Sequence, residues 1–378
     1  MGPLALAAEG RGMTLHWYFA RRTAASFGVV GGLFFILISL ADLIEQARRH
    51  GDEGAGLREV IGLTLFNAPG SLYELLPLLV ILSAITLFLG LARSSEMVVT
   101  RAAGRSALRA LLAPAGVILV IGLLALAVLN PLVAATQTEY EARASALDDR
   151  GASVIAVDAS GLWLRQDGPG DGQTVIRAAR ASGDATRLSG VTFVTFSPMG
   201  RPTSRIDARA AELVPGAWRL HDAKTWPLGE AAVPEAAATE QEVFDLPSRL
   251  TPEEIRDSFG APALIPIWDL PRFIERLQAA GFSTTRHQMH FQSELAMPLF
   301  LLALVAICAV FTLRQSRGSR TGLLVLTAIG ACFLLYFLRN FALVLGETGQ
   351  IPVWLAAWAP PIAGAALAMG GLLHQEDG

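Results

Sequence analysis

The sequence predicts an α-helical membrane protein with six transmembrane helices, three on each side of an inserted all-β domain. Of its 378 residues, 52% are hydrophobic and only 17% are charged, and the mean hydropathy is +0.46. A soluble domain has about a quarter of its residues charged, so the deficit indicates that lipid is part of the solvent. Six apolar segments are long enough to cross a bilayer, and a polar stretch with strand-like patterns separates the third from the fourth.

The six spans follow from segment length, since about 20 helical residues cross roughly 30 Å of hydrocarbon. They are predicted at 24–44, 68–91, 110–133, 295–313, 321–345 and 352–373. Asn67, Pro69 and Glu74 make the outer end of the second span polar and predict a kink there. The first span is too long for the apolar part of a cleaved signal peptide, and no small-residue cleavage site follows it.

Arginines predict the orientation of the chain, because short cytoplasmic loops are enriched in positive charge. Three groups fall on one side of a six-span arrangement: Arg21 and Arg22; Arg93, Arg101, Arg105 and Arg109; and Arg314, Arg317 and Arg320. Both termini are therefore expected in the cytoplasm. The inserted segment is then outside, which in a bacterium with two membranes means the periplasm, and the chain is expected in the inner membrane.

The stretch between the third and fourth spans predicts a second, β-rich domain. Short runs of strand-forming residues recur at 153–157, 161–165, 174–178, 191–196, 205–213 and 218–226. Turns rich in glycine and proline separate them, so we expect an antiparallel sandwich or an open, jellyroll-like sheet. Residues 231–240 are rich in alanine and glutamate and predict a loose linker. Helices are expected from Thr251 onward and at 270–280.

The residues needed for several kinds of chemistry are missing. Lys224 is the only lysine and lies in the β-rich segment, which excludes a lysine-containing phosphate loop for ATP. The net charge of −3 gives no electrostatic basis for binding nucleic acid. His287 and His290 lie where a helix enters the bilayer, and interfacial polar residues are favoured over a metal pair. Cys308 and Cys332 lie inside apolar runs. We therefore expect no enzymatic activity and no cofactor or metal.

Ionisable residues in or beside the spans are candidates for a binding site, since a charge in hydrocarbon usually faces a cavity or a partner. Asp42, Glu74 and Arg339 are of this kind, and either pairing within the bundle or contact with a ligand fits each of them. Arg48 and Arg49 follow the first span on the outer side, where positive charge is unexpected. They suit either the phosphate of a lipid headgroup or an ordinary solvated loop.

The cytoplasmic loop between the second and third spans predicts a short capped helix. Ser94 or Ser95 can cap its start, Glu96 falls in its first turn, and Gly104 supplies the stop. Such a helix has about nine residues and is roughly 13 Å long. Taken alone, the pattern is that of an ordered connecting loop.

Four sets of short motifs occur in order along the chain. They are Ser95-Glu96-Met97-Val98-Val99 with Ala102-Ala103-Gly104; Gly161-Leu162-Trp163; Ala217-Trp218-Arg219-Leu220; and Phe273-Ile274-Glu275-Arg276-Leu277 with Gly281, His287, Gln288, Phe291 and Pro298. Together they resemble the LptF/LptG family of lipopolysaccharide export permeases, over residues 13–375. The first resembles that family's coupling helix, and the last is more similar to the LptG branch than to the LptF branch.

The resemblance implies a permease subunit of an ABC transporter that extracts lipopolysaccharide from the inner membrane and passes it to a periplasmic bridge toward the outer membrane. The implied domains are 13–133 with spans 1–3 and the coupling helix near 94–104, 134–294 with the periplasmic jellyroll and its connecting helices, and 295–375 with spans 4–6. The implied partners are an LptF-like subunit in a heterodimer, an LptB-like cytoplasmic ATPase dimer, an LptC-like membrane-anchored protein and an LptA-like periplasmic jellyroll protein.

The resemblance also implies two sets of site residues. The set that couples the permease to the ATPase is Ser95, Glu96, Met97, Val98 and Gly104. The set that binds lipopolysaccharide is Arg48, Arg49, Asp42 and Arg143. Asp42 departs from the family, in which a basic residue is expected at this depth. An acid does not hold a phosphate directly, so that contact is absent, displaced to another residue or mediated by a divalent cation.

Three other classes of function fit parts of the pattern. Another ABC-type exporter of lipid or lipoprotein would share a large periplasmic domain, but usually with one span before it rather than three. A secondary transporter would be expected to show broken mid-membrane helices and paired buried acids. A structural anchor would leave Glu96 and Gly104 without a role.

Overall fold

The computed structural model describes residues 3–50, 56–94, 107–147, 156–158, 161–167, 172–182, 186–228, 234–248, 250–251, 261–279, 282–312 and 321–377. Contacts divide the chain into two compact units. The helical unit combines Met1–Asp148 with Gln288–Gly378, and the sheet unit is Asp149–His287.

The apolar runs of the sequence form the helices. Within the described ranges the α-helices are α1 Pro3–His50, α2 Leu57–Glu74, α3 Leu76–Arg93, α4 Ala107–Leu124, α5 Asn130–Leu147, α6 Leu270–Ala279, α7 Thr285–Thr312, α8 Thr321–Glu347 and α9 Val353–Asp377. α6 belongs to the sheet unit. A five-residue π-helix, Ala125–Leu129, joins α4 directly to α5.

The helical unit contains the segments that can cross a membrane. Among the described residues, five are long and apolar enough to do so alone: His16–Arg49, Leu111–Ala144, Thr285–Thr312, Gly322–Glu347 and Val353–Gln375. α2 and α3 meet the same criterion as a pair bent by 62°. Counted as one broken span, the pair brings the number to six, and the predicted helical membrane protein with an inserted sheet is confirmed.

The break in the second span lies at Leu75, further along the chain than the predicted kink. Pro69, on which the prediction depended, lies inside α2. Pro77 explains the position of the break, because its ring clashes with the carbonyl group four residues earlier, on Tyr73. In the first turn of α3 the same proline is tolerated, since N–H groups there have no partner within the helix.

Two contacts in the helical unit each bring a pair of helix ends together. The Arg22 guanidinium lies beside Gly90, where an added methyl group would come within 3.1 Å of its Nη2 atom. The side-chain amide of Gln375 donates a hydrogen bond to the Val310 carbonyl at 2.9 Å. The start of the α1 span therefore lies near the end of α3, and the end of α9 lies near the end of α7.

Gly122 allows α4 to approach α7 closely. A methyl group at this position would come within 2.9 Å of the Pro298 Cα atom, so another side chain would push the two helices apart. Phe300, two residues further along α7, is fully buried. Further along, Cys308 and Cys332 face each other as free buried thiols with their Sγ atoms 3.6 Å apart.

The sheet unit contains a meander of antiparallel strands. In the described part of the chain these are β1 Ala156–Asp158, β2 Gly161–Asp167, β3 Gln173–Ala181, β4 Arg187–Phe196, β5 Pro202–Val214, β6 Ala217–Pro227 and β7 Thr239–Pro247. Each pairs with the next along the chain, so the sheet is open, with β1 and β7 at its edges. The six predicted strand runs overlap β1 to β6.

β7 is not among the strands predicted from the sequence. Residues 231–240 were expected to form a loose linker, but a single 3₁₀ turn, Pro234–Ala237, leads directly into the strand at Thr239. β7 has a neighbour on one side only, and its first five residues are exposed. It therefore lacks the alternation of apolar and polar residues that reveals a half-buried strand. The predicted helix at 270–280 is confirmed as α6, whereas the one from Thr251 falls mostly outside the described residues.

Trp218 shows that the sheet is strongly curled. Its indole Nε1 donates to the Gln166 side-chain oxygen at 3.3 Å, and the Ser248 hydroxyl donates to the same oxygen at 2.8 Å. Trp218 lies on β6 and Gln166 on β2, four strands away, which in a flat sheet would be about 19 Å. The sheet therefore folds around a core that contains Phe193 and, from α6, Leu277.

Lys224 forms a surface ion cluster in this unit. Its Nζ atom lies 2.7 Å from Glu235 and 3.3 Å from Glu240. The hydrogen bonds, first to Glu235 and then to Glu240, raise the pKa of Lys224. The hydrogen bond from Lys224 lowers the pKa of Glu235, and a second one from the Trp226 indole acts in the same direction. The only lysine of the chain thus pairs structurally with two acids of its own domain.

Candidate functional site

Within the described part of the helical unit, two clusters of buried polar side chains include candidate site residues. The first is the polar corner, formed by Ser39, Asp42 and Gln46 on α1, Asn67 on α2 and Tyr140 on α5. The three α1 residues are spaced by three and four positions, so they share one face of the helix. Leu40 and Ile44, between them in the sequence, are exposed and suit contact with lipid or with another subunit.

Hydrogen bonds tie the three helices of the polar corner together. The Asn67 amide donates to Asp42 Oδ1 at 2.8 Å. The Gln46 amide nitrogen donates to the same Asp42 oxygen at 3.3 Å and to the Tyr140 hydroxyl at 2.8 Å. Nearby, Gly70 leaves space for the Gln137 side-chain oxygen, which a methyl group would approach to 3.1 Å. The predicted site residue Asp42 is thus held by two amides.

Three oxygen atoms of the polar corner are buried and have no hydrogen-bond partner among the residues that the structure describes. They are Ser39 Oγ, Asp42 Oδ2 and Gln46 Oε1. Gln46 is only 2% exposed. A buried polar atom that is left unsatisfied typically costs about 1–3 kcal/mol, so three at one place require an explanation.

The predicted lipopolysaccharide residues Arg48 and Arg49 both pair with one acid. Glu45, one turn before them on α1, lies 2.9 Å from Arg48 and 2.7 Å from Arg49. Each guanidinium has five N–H groups, so a single carboxylate does not use the full hydrogen-bonding capacity of either arginine. Glu45 reduces the positive charge that the pair presents.

The fourth predicted residue, Arg143, lies on α5 one turn beyond Tyr140. Its Nη2 atom is 3.6 Å from Glu139, and its guanidinium lies over the Phe66 ring of α2, 4.1 Å from the ring centre. The structure therefore brings Asp42 and Arg143 to the same group of helices, α1, α2 and α5. The side chains of Arg48 and Arg49 are exposed near the end of α1.

The second cluster centres on Glu294 of α7, which is 5% exposed. Its Oε2 atom accepts a short hydrogen bond from the Tyr73 hydroxyl and another from the Asn130 amide at 3.3 Å. Arg339, 8% exposed, lies in the same region of the core with its guanidinium 5.0 Å from the centre of the Phe300 ring. Of these residues only Arg339 was a candidate from the sequence; Glu294, Tyr73 and Asn130 were not predicted. The available signal was Glu294 itself, an acid at the start of a predicted span.

The residues predicted to couple the permease to an ATPase, Ser95, Glu96, Met97, Val98 and Gly104, lie outside the described residues. The structure does define the preceding helix end. The Ser94 hydroxyl donates to the Gly90 carbonyl at 2.9 Å and so closes α3. Of the two serines considered as caps for the next helix, Ser94 is therefore engaged at the end of the previous one.

The described residues contain no group of three or more histidine, cysteine, aspartate or glutamate side chains that could hold a metal ion. His287, one member of the histidine pair, is buried with its ring 5.3 Å from that of Phe273. His290 lies on α7, one turn before Glu294.

These features define a class of protein: a multi-pass helical membrane protein whose third and fourth spans are separated by a folded antiparallel sheet. The family model for the lipopolysaccharide export system permease LptF/LptG matches residues 17–374. The chain belongs to this family.

Individual relatives agree with that assignment. The lipopolysaccharide export system permease protein LptG of Escherichia coli K12 is 25% identical over 342 residues, which covers 88% of this chain and 89% of the relative. The LptG protein of Haemophilus influenzae is 22% identical over 348 residues, covering 85% and 88%. The similarity includes both helical halves and the inserted sheet.

We expect Tyr73→Phe to lower the free energy of unfolding by about 1.5–3 kcal/mol, because the substitution removes a hydrogen bond to the buried Glu294 carboxyl group. Unfolding in mixed micelles, followed by tryptophan fluorescence, measures the change. Tyr18→Phe is the matched control, since the Tyr18 hydroxyl accepts an exposed hydrogen bond from Arg22. Equal effects of the two substitutions would contradict a structural role for the Glu294 cluster.

Proposed function

We propose that the chain is a permease subunit of an ABC transporter that extracts lipopolysaccharide from the inner membrane and passes it to a periplasmic bridge toward the outer membrane. The observation that carries the proposal is the family match over residues 17–374, which spans the helical unit and the sheet unit together. The fold supports it, because three spans precede the inserted sheet. This arrangement differs from the single preceding span expected of the alternative lipoprotein-release systems.

ATP hydrolysis is assigned to a partner, an LptB-like cytoplasmic ATPase dimer. The only lysine, Lys224, is paired with two glutamates in the sheet unit, so no lysine is left for a phosphate loop. An LptF-like subunit is proposed as the second half of the permease, with LptC-like and LptA-like proteins as acceptors of the lipid. The exposed apolar face of α1, which includes Val29, Leu33 and Ile36, suits contact with lipid or with the second subunit.

We place both termini in the cytoplasm and the sheet unit in the periplasm. Arg22 lies beside Gly90 near the end of α3, and Gln375 bonds Val310 near the end of α7. These contacts support the proposal, because α3 and α7 are the helices after which the arginine-rich loops follow in the sequence. Short arginine-rich loops favour the cytoplasmic side.

A cysteine substituted for Gly170 should react with a membrane-impermeant maleimide added to intact spheroplasts, and one substituted for Ser316 should not. Labelling is read by a mass shift on a gel. The parent chain is the control, because its own Cys308 and Cys332 are fully buried. Labelling at position 316 without labelling at 170 would reverse the proposed orientation.

Arg48, Arg49 and Arg143 are proposed to hold the phosphates of the lipid. Charge-assisted hydrogen bonds to phosphate contribute about 1.5–3 kcal/mol each, so reversal of two charges should weaken binding at least about tenfold. We therefore expect the double change Arg48→Glu and Arg49→Glu to lower lipopolysaccharide affinity while the permease still assembles. Photocrosslinking to lipopolysaccharide across a concentration series measures the affinity.

Glu45→Gln is the matched control for the arginines. It removes the acid that pairs with both, so lipopolysaccharide binding should be unchanged or tighter. An unchanged affinity in the double arginine variant would show that these residues form an ordinary solvated loop. Capture of a lipoprotein instead of lipopolysaccharide by the wild-type complex would favour the alternative exporter.

Glu96 is proposed to contact the ATPase from the start of the coupling helix. Removal of one partner of a buried charge pair typically costs about 2–5 kcal/mol, so Glu96→Ala should release the ATPase or uncouple ATP turnover from lipid release. Co-purification and single-turnover lipid release measure the two effects. Ser94→Ala is the control, because the Ser94 hydroxyl closes α3. If the Glu96→Ala variant keeps full association with the ATPase and full lipid release, the interpretation as a structural anchor would be favoured.

A further inference from the structure

The three unpaired oxygens of the polar corner belong to adjoining side chains. The Gln46 amide nitrogen bonds Asp42 Oδ1, so the Gln46 Oε1 atom and the second Asp42 oxygen lie on neighbouring groups. Ser39 is three residues before Asp42 on the same face of α1, a spacing that puts Cβ atoms about 5–6 Å apart. Each of these atoms is buried, and the carboxylate oxygen and the amide oxygen can act only as acceptors.

The orientation of the Gln46 amide is fixed by its partners. A carboxylate oxygen only accepts hydrogen bonds, so the atom that faces Asp42 Oδ1 has to be the amide nitrogen. Rotation of the amide by a half turn would place its oxygen against the Asp42 carboxylate oxygen, and neither atom can donate a hydrogen bond. The nitrogen also bonds the Tyr140 hydroxyl, and the Asn67 amide already bonds Asp42 Oδ1. Both amide hydrogen bonds to Asp42 therefore go to Oδ1, and Oδ2 receives none from the described residues.

From these observations we infer that the polar corner is a cation site, in which Asp42 Oδ2, Gln46 Oε1 and Ser39 Oγ bind a monovalent metal cation of the Na⁺ class. Carboxylate, amide and hydroxyl oxygens are ligands for hard metal cations. A cation satisfies all three oxygens at once, whereas a single proton on Asp42 adds one donor. The inference concerns a site on α1 and does not depend on the proposed function.

Charge balance selects a monovalent ion. The corner contributes one formal negative charge, from Asp42, and its other residues are neutral. A monovalent cation gives a neutral site, whereas a divalent cation would leave a net positive charge among buried atoms, which is costly. Bound there, the ion adds to the hydrogen bonds that hold α1 against α2 and α5.

The thermal stability of the full-length chain in phosphatidylcholine nanodiscs tests the inference. Its melting temperature should rise in a saturable way with NaCl, compared with N-methylglucamine chloride at equal ionic strength, because an ion that binds only the folded state stabilises it. Asp42→Asn should raise the half-saturating NaCl concentration at least about tenfold, since the site loses its charged ligand. Glu45→Gln, which alters an exposed carboxylate one turn further along α1, should keep the wild-type response.

Gln46→Glu keeps the inference testable if Asp42→Asn does not fold. A second carboxylate in the corner should change the preference, so that Mg²⁺ or Ca²⁺ stabilises the variant at least about tenfold more effectively than Na⁺ does. Three results would overturn the cation site. These are a wild-type chain that does not distinguish Na⁺ from N-methylglucamine, an Asp42→Asn variant with an undiminished Na⁺ response, and a melting temperature that follows pH without any cation preference. The last would mean that the corner binds a proton.

Discussion

The carboxyl group of Glu294 is the point on which the helical unit depends. It accepts hydrogen bonds from Tyr73, two residues before the break between α2 and α3, and from Asn130, the first residue after the π-helix. Breaks in a helix free backbone groups that hydrocarbon cannot satisfy. One residue of α7 thus holds the two places where the first three spans depart from regular helix, and joins both halves of the membrane bundle.

The two polar clusters differ in how completely their acids are satisfied. Both donors at Glu294 bond a single oxygen, Oε2, and the positively charged Arg339 lies in the same core. This arrangement indicates a structural role, in which Glu294 holds α7 against α2 and α5. Asp42 also has two donors on one oxygen, but here the second oxygen is buried beside two more unpaired acceptors. The polar corner therefore has unused binding capacity, and it lies on the helix that carries Arg48 and Arg49.

The sequence could predict the features that depend on patterns summed over many residues. The six spans and the first six strands follow from hydropathy and alternation, which sum over many residues. The remaining features depend on single residues and their local contacts. The break lies at Leu75 because Pro77, not Pro69, interrupts the backbone hydrogen bonds of the helix. β7 was not predicted because an exposed edge strand needs no apolar face. The pairing of Glu45 with both arginines was readable from its spacing of three and four.

The π-helix Ala125–Leu129 also determines which residues the polar corner contains. A π-turn holds one residue more than an α-turn, so every side chain after it is displaced by about 100° around the helix axis. Tyr140 and Arg143 face α1 and α2 only because of this change of phase. A related chain one residue shorter in this segment would present different side chains to α1. Sequence alignments across Ala125–Leu129 therefore have to treat a one-residue gap as a rotation of α5, not as a shortened loop.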